Sequence, residues 1–116
     1  MAVANNNVFF PSIAVADGGK PLMTFSISGA DYFPSAAFTA LGSPTVSLVA
    51  LGAEPADGFS GYPQTGAPEP GIERWGDYSA AVTDGKTVWM ATEFIPGGMR
   101  TVNANWGTFV FGIRSH

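Results

Sequence analysis

The stretch Arg74–Phe94, RWGDYSAAVTDGKTVWMATEF, decides the fold that the sequence predicts. Two segments within it, Tyr78–Thr83 and Thr87–Phe94, are rich in β-branched and aromatic residues, which suit a pleated, partly buried strand. Between them lies Asp84-Gly85, a favoured dipeptide of tight hairpin turns because both residues tolerate a positive φ. The same dipeptide argues against a continuous helix. The stretch therefore predicts a β-hairpin. Because neither face of its second arm is strongly polar, that strand is expected to be covered on both sides.

Five further segments have the composition of strands. They are Val8–Ala16, Leu22–Ser28, Tyr32–Leu41, Thr45–Leu51 and Trp106–Ile113. Gly, Pro and Asp residues separate them, and Pro11 within the first is expected at a strand start, at an edge or in a bulge. The chain of 116 residues is therefore predicted to be all-β, with antiparallel sheets in one structural unit.

A sequence repeat divides the chain. Ser12–Gly18, SIAVADG, matches Ser79–Gly85, SAAVTDG, with an offset of 67 residues, and Met23 and Met90 keep that offset. Repeats on this scale are typical of propellers and solenoids. The predicted divisions are a first blade-like unit, a Gly/Pro-rich loop and a second blade-like unit, over residues 1–51, 52–71 and 72–116.

Composition and charge exclude several classes of function. Charged residues are 12% of the chain and the net charge is −4, with no cluster of basic residues, which argues against nucleic-acid binding. No apolar run has the length of a membrane span. With no cysteine, and His116 as the one histidine, neither a disulfide nor a metal site is expected, and no cofactor is implied. No secretory signal is recognised, so an extracellular location is expected only if the chain derives from a longer protein.

Polar residues beside the Arg74–Phe94 stretch are the candidates for catalysis. Glu73 and Asp77, next to Arg74, can act as acid and base when burial or a neighbour separates their pKa values. The alternative is a structural role, either an Arg74–Asp77 ion pair or Asp77 accepting backbone N–H bonds at a strand corner. The structural interpretation is favoured.

Aromatic residues are the candidates for ligand binding. Because sugars stack on aromatic rings, Tyr62, Trp75 and Tyr78, together with Glu93, are the candidate glycan site. The alternative for Trp75 and Trp89 is packing between sheets, where large aromatic side chains contribute much of the buried area. Packing is favoured for these two tryptophans, and Tyr62, in the long loop, is the favoured sugar platform.

Several short motifs carry a resemblance to a known family. RWGDYS at 74–79, followed by Asp84, Trp89 and Glu93, resembles a blade of bacterial sialidase-like β-propeller proteins. FPSIAV at 10–15 with FPSA at 33–36 resembles the preceding blade, and WGT at 106–108 resembles the terminal strand. The resemblance implies about two blades of a propeller that has about six. The arginine triad, the Tyr–Glu pair and the acid Asp of sialidases cannot be placed on this chain, so the resemblance implies a fold and no activity.

Two blades alone would leave two apolar faces open, which predicts that the chain either derives from a longer propeller or associates with further copies of itself. Three copies would complete a ring of about six blades, so a homo-oligomer, taken as a trimer, is expected. The sequence thus predicts a non-catalytic propeller unit with a binding or structural role and a glycan as candidate ligand. The alternatives are a sialidase-like glycoside hydrolase fragment or subunit and a small carbohydrate-binding β-sandwich. The tail Arg114-Ser115-His116 resembles the junction to a polyhistidine tag.

Overall fold

The computed structural model describes residues 1–56, 75–99 and 105–115. These residues form seven strands and no helix, and so contain no helix long and apolar enough to cross a membrane. The strands are β1 (Asn6–Val15), β2 (Pro21–Gly29), β3 (Ser35–Ala40), β4 (Ser47–Ala50), β5 (Ala80–Asp84), β6 (Thr87–Phe94) and β7 (Gly107–Arg114). They make two antiparallel sheets, ordered β1-β2-β3-β4 and β5-β6-β7. The predicted all-β fold with antiparallel sheets is confirmed.

Each sheet is a meander, in which every strand pairs with the next one along the chain. The first sheet lies within residues 1–51 and the second within residues 72–116, while most of the predicted loop over residues 52–71 falls outside the described residues. The pairing of β1 with β2 shifts between Phe9 and Ser12. Pro11, which has no N–H to donate, lies at this shift, and Phe10 takes a φ of 53° there. Pro11 thus lies in a bulge of an edge strand, where no ladder hydrogen bond from its nitrogen is needed.

The hairpin between β5 and β6 differs from its prediction in one respect. Asp84 is the last residue of β5 and pairs with Thr87, so the two loop residues are Gly85 and Lys86. Gly85 has a φ of 55°, whereas neither Asp84 nor Lys86 has a positive φ. A two-residue turn with a glycine first needs only that residue in the left-handed region. Of the predicted turn dipeptide Asp84-Gly85, only Gly85 is therefore a loop residue.

The two sheets stack face to face over an apolar core. Ala16, Val88 and Met90 are its buried centre. Around them pack Ala14, Leu22, Phe38, Ala81, Phe111 and Ile113. β1 contacts β5, and β2 and β3 contact β6, so the first sheet covers the inner face of the second. Across the core the rings of Phe38 and Phe111 lie 5.7 Å apart, which joins β3 to β7.

Corresponding strands of the two sheets lie next to one another and run in the same direction. The Asp17 N–H donates to the carbonyl oxygen of Gly85 at 3.0 Å, and Thr83 Oγ1 donates to the carbonyl oxygen of Val15 at 2.7 Å. The turns after β1 and β5 are therefore at the same end of the molecule. Further along, Ser26 Oγ donates to the carbonyl oxygen of Glu93, which lies 67 positions later in the chain. This separation equals the offset of the sequence repeat.

The positions of the repeated methionines show how the β1–β2 and β5–β6 hairpins are stacked. Met90 lies between the sheets, whereas Met23, its counterpart in the repeat, packs on the outer face of the first sheet. The inner face of β6 thus corresponds to the outer face of β2, as it does when similar hairpins stack one behind another. This correspondence does not extend to β1 and β5. Ala14 and Ala81 match in the sequence repeat, yet both pack into the core between the sheets, so the two hairpins differ in register by one residue.

The outer face of the first sheet has its own buried cluster. Phe25, Ile27 and Ala37 are at most 1% exposed there. They pack with apolar residues of the same sheet and its connections: Val3, Val8, Met23, Tyr32, Val46 and Leu48. The outer face of the first sheet is therefore buried at its centre, while Ile13 and Val15 remain exposed at one end of β1 on the same face.

Candidate functional site

The three candidate catalytic residues are only partly described. Glu73 and Arg74 lie outside the described residues. Asp77 is exposed and lies just before β5. The predicted arrangement of an acid, a base and an arginine stays a prediction. Among the described residues, no group of three or more His, Cys, Asp or Glu side chains is placed to hold a metal ion.

The four candidate ligand residues lie in different environments. Tyr62 is outside the described residues. Tyr78 is 87% exposed, so its ring stands in solvent rather than in a cleft. Trp75 and Glu93 are each partly buried, and both lie near the bulge of β1. The structure therefore brings two of the four candidates into one region.

Trp75 is held in this region by aromatic packing. Its ring meets that of Phe9 edge-on, with centroids 6.4 Å apart, and Phe9 meets Phe10 in the same way at 5.4 Å. The indole Nε1 of Trp75 is buried and has no hydrogen-bond partner within the described chain. Leaving a buried donor unpaired costs about 1–3 kcal/mol. Apolar and aromatic contacts must therefore hold this ring in place, which supports the packing interpretation of Trp75.

Glu93 lies against the glycine that follows Trp75. A side chain at Gly76 would collide with the Glu93 carboxylate and would come within 3.7 Å of the Phe10 ring. Gly76 also has a φ of 28°, which side chains disfavour. The carboxylate therefore needs the glycine beside it, and Glu93 has a further interaction in addition to this contact. Glu93 therefore packs against the chain entering β5.

A different surface, the outer face of the second sheet, is open and apolar. Val82, Trp89 and Val110 are 62%, 46% and 62% exposed there. The register sets Val82 opposite Trp89, and Trp89 opposite Gly112 on the next strand. We call this surface the open face. It consists of Ala80, Val82, Trp89, Ala91, Val110 and Gly112.

Trp89 is the centre of the open face. A Cβ atom added at Gly112 would lie 3.1 Å from Cε3 of Trp89, so the indole lies over this glycine, close to the sheet. The predicted coverage of β6 on both sides is wrong for the single chain, because Val88 and Met90 are buried while Trp89 is exposed. Packing therefore accounts for one face of β6 only, and Trp89 is not a core residue of this chain.

The open face was missed in the sequence because its residues do not differ in type from core residues. In the TVWMATEF stretch of β6 both alternating sets are apolar, so alternation shows two apolar faces without showing which one is covered. One signal was available: the GTFVFGIR stretch of β7 alternates large apolar residues with Thr, Val, Gly and Arg. That alternation indicates one solvated face on the second sheet.

Comparisons of the chain with family models, curated proteins and solved structures gave no match. The resemblance to sialidase-like propellers therefore rests on the short motifs of the sequence.

Proposed function

We propose that this protein is a non-catalytic binding or structural unit that associates with further copies of itself. The observation that carries this proposal is the open face. An antiparallel sheet with one covered face normally has polar residues on the other. Here that other face exposes Val82, Trp89 and Val110. Contiguous exposed apolar residues of this kind mark surfaces that bind other molecules.

The proposal includes a correspondence between the two sheets and two neighbouring blades of a sialidase-like propeller. Propeller blades are small antiparallel sheets that repeat around an axis. Two features of the fold support the correspondence: each sheet is a meander, and β1 lies against β5 while β2 lies against β6. The hydrogen bonds that Asp17 and Thr83 make across to the opposite hairpin set these strands in the same direction.

The placement of the described carboxylates supports a non-catalytic role. A carboxyl group that serves as a general acid or base is often prepared for that role by burial, which disfavours its charged form. Asp77 is exposed. Glu93 is partly buried, and its carboxylate is packed against Gly76. Both carboxylates thus have positions that suit a structural role.

The solution mass tests the proposal. Light scattering behind a sizing column, from micromolar to sub-millimolar concentration, is expected to give a multiple of the 12.0 kDa chain mass. A discrete trimer would support the ring of about six blades predicted from the sequence. A dimer would indicate that two open faces pair. A monomer throughout this range would overturn self-association.

A panel of fluorogenic glycosides tests the non-catalytic part. No turnover above that of the Asp77→Asn variant is expected on any glycoside, including sialosides. Turnover that Asp77→Asn abolishes would identify a glycoside hydrolase with Asp77 at its centre. Turnover that survives in Asp77→Asn would also overturn the non-catalytic role and would place the active site elsewhere.

A further inference from the structure

We infer that the partner of the open face is the open face of a second copy, with the two copies related by a twofold axis along β6. This inference rests on the self-association proposed above and specifies its surface and geometry. In such a dimer the second sheets of two copies face each other, and each copy covers Val82, Trp89 and Val110 of the other.

The number of open faces favours a twofold contact. A ring needs two different complementary surfaces on each chain, whereas a twofold dimer needs one surface that is complementary to itself. The outer face of the first sheet is buried at its centre by Phe25, Ile27 and Ala37. Ile13 and Val15 are exposed on that face at one end of β1, so the open face on the second sheet is the one apolar sheet face that the described part of the chain leaves uncovered at its centre.

The sizes of the side chains on the open face are self-complementary. A twofold axis along β6 keeps each cross-strand row in place and exchanges the positions of β5 and β7. In the row of Trp89, Val82 of one copy then meets Gly112 of the second copy. In the row of Ala91, Val110 of one copy meets Ala80 of the second copy. Away from the axis, each of these two rows therefore sets a valine against a smaller residue, which lets the flanking strands approach.

The charges at the end of the open face follow the same symmetry. Asp84 pairs with Thr87, which pairs with Arg114, so these three residues form one row across the sheet. Asp84 and Arg114 are both exposed. The axis along β6 sets Asp84 of each copy opposite Arg114 of the second copy, which gives two pairs of opposite charge. Exposed pairs of this kind select orientation more than they add affinity.

Another axis would lose these pairs. A twofold axis across the strands would place the row of Asp84 and Arg114 against the row that contains Glu93 and Thr108. Arg114 would then face Thr108 of the second copy. The axis along β6 also agrees with the usual aligned packing of two sheets, whose strands cross at about 30° with the sheets about 10 Å apart.

Trp89 lies on the proposed axis. Each indole lies over Gly112 of its own sheet, close to the sheet surface. Its exposed side therefore faces the indole of the second copy, and two aromatic rings in such positions prefer an offset stack. Trp89 is the largest side chain on the open face, so its environment is expected to change most when the dimer forms.

The size of the open face predicts the strength of the contact. Three strands about 4.8 Å apart and about seven residues long give a footprint of about 15 by 24 Å. That is smaller than the surface that a standard stable interface buries on each partner. The dimer is therefore expected to be weak, with a Kd in the micromolar range, and its mass is expected to depend on concentration.

Sedimentation velocity across a concentration series tests the contact, with Val110→Glu as the disrupting variant. The full chain is expected to shift from monomer to dimer, and Val110→Glu is expected to raise the Kd about tenfold or more because a charge would be buried unpaired. The matched control is Ile13→Glu, because Ile13 is 51% exposed in a strand of the other sheet. That control is expected to leave the Kd unchanged, and thermal melting of each variant checks that it folds.

Charge reversal tests the axis. Arg114→Glu alone is expected to weaken the dimer, because two acidic side chains would face each other. Adding Asp84→Arg to Arg114→Glu is expected to restore the dimer, since the pairs would again have opposite charge. Rescue by the double variant supports the axis along β6. A double variant that is weaker than the single one would overturn that axis.

The remaining outcomes separate failure of this inference from failure of the proposed function. A monomer at every concentration overturns both. A dimer or trimer that is insensitive to Val110→Glu would support self-association but overturn the open face as the contact surface. A trimer that is sensitive to Val110→Glu would overturn the twofold geometry. A monomer whose tryptophan emission changes on adding cellotetraose or chitotetraose, but not in Val110→Glu, would make the open face a glycan platform and overturn the inference.

Discussion

The hydroxyl groups of Ser26 and Thr92 meet between the two sheets, with Ser26 Oγ 3.1 Å from Thr92 Oγ1. Ser26 Oγ also donates to the carbonyl oxygen of Glu93 at 2.7 Å, and Ser79 Oγ lies 2.6 Å from Thr92 Oγ1. A hydroxyl group has one proton to donate. Because Ser26 donates its proton to Glu93, Thr92 must donate to Ser26, and Ser79 must donate to Thr92. The hydrogen bonds therefore run in one direction, and they join β2, β6 and the residue before β5.

Removing the middle hydroxyl of this series is expected to destabilise the protein. Thr92→Val keeps the shape of the side chain but leaves Ser79 without an acceptor and Ser26 without a donor, at a position that is 1% exposed. Urea denaturation is expected to show a loss of about 1–3 kcal/mol in the free energy of unfolding. The matched control is Thr108→Val on the exposed face of β7, for which a change within about 0.5 kcal/mol is expected. Equal losses in the two variants would show that the hydrogen bonds make no special contribution.

The two methionines of the sequence repeat are expected to differ in their contribution to stability. Met90 is 1% exposed between the sheets, whereas Met23 is only partly buried on the outer face of the first sheet. Met90→Ala is expected to cost about 2–5 kcal/mol, the range for large buried side chains, and Met23→Ala distinctly less. Thermal and urea unfolding of both variants measure the difference. A larger loss in Met23→Ala would contradict the assignment of Met90 to the core between the sheets.

Local composition was sufficient to predict the strands. All seven predicted segments overlap a strand, and β6 begins and ends at the predicted residues. These segments are rich in β-branched and aromatic residues and are separated by Gly, Pro and Asp, and both signals act over a few residues. The covered face of β6 was not predictable in this way. Its coverage depends on contacts with β2 and β3, which lie far away in the sequence.

The candidate site was less predictable for a related reason. The sequence singled out Trp75 and Glu93, which the structure does place in one region, but it gave no sign that Glu93 packs against Gly76. That contact follows from the path of the chain before β5 and not from residue type. The open face depends on which apolar strands remain uncovered after folding, and composition alone treats Trp89 and Met90 alike.

The turn between β5 and β6 is expected to depend on the backbone of one glycine. Gly85 has a φ of 55°, and a Cβ atom added there would have no atom within 4 Å, so any cost of Gly85→Ala comes from the backbone alone. A loss of about 1–2 kcal/mol is expected, because a side chain disfavours the left-handed region by that amount. Gly85→Asn is expected to lose less, since Asn tolerates this region better. Melting temperatures measure both losses, and a larger loss for Asn than for Ala would contradict this explanation.

The contact between Gly76 and Glu93 is expected to appear as a coupling between two substitutions. Gly76→Ala places a methyl group where the Glu93 carboxylate lies, at a φ of 28°, so it is expected to cost both backbone strain and displacement of the carboxylate. A total loss of about 1–3 kcal/mol is expected in urea denaturation.

Glu93→Ala makes room for the added methyl group and separates the two contributions. In a double-mutant cycle, Gly76→Ala is expected to cost less in the Glu93→Ala background, with a coupling of about 0.5–3 kcal/mol. Gly18→Ala provides the backbone reference, because Gly18 has a φ of 66° and open space around it. Gly18→Ala is therefore expected to cost the same with or without Glu93→Ala. Additive losses for Gly76→Ala and Glu93→Ala would mean that the carboxylate moves aside freely, and Glu93 would then not support the chain entering β5.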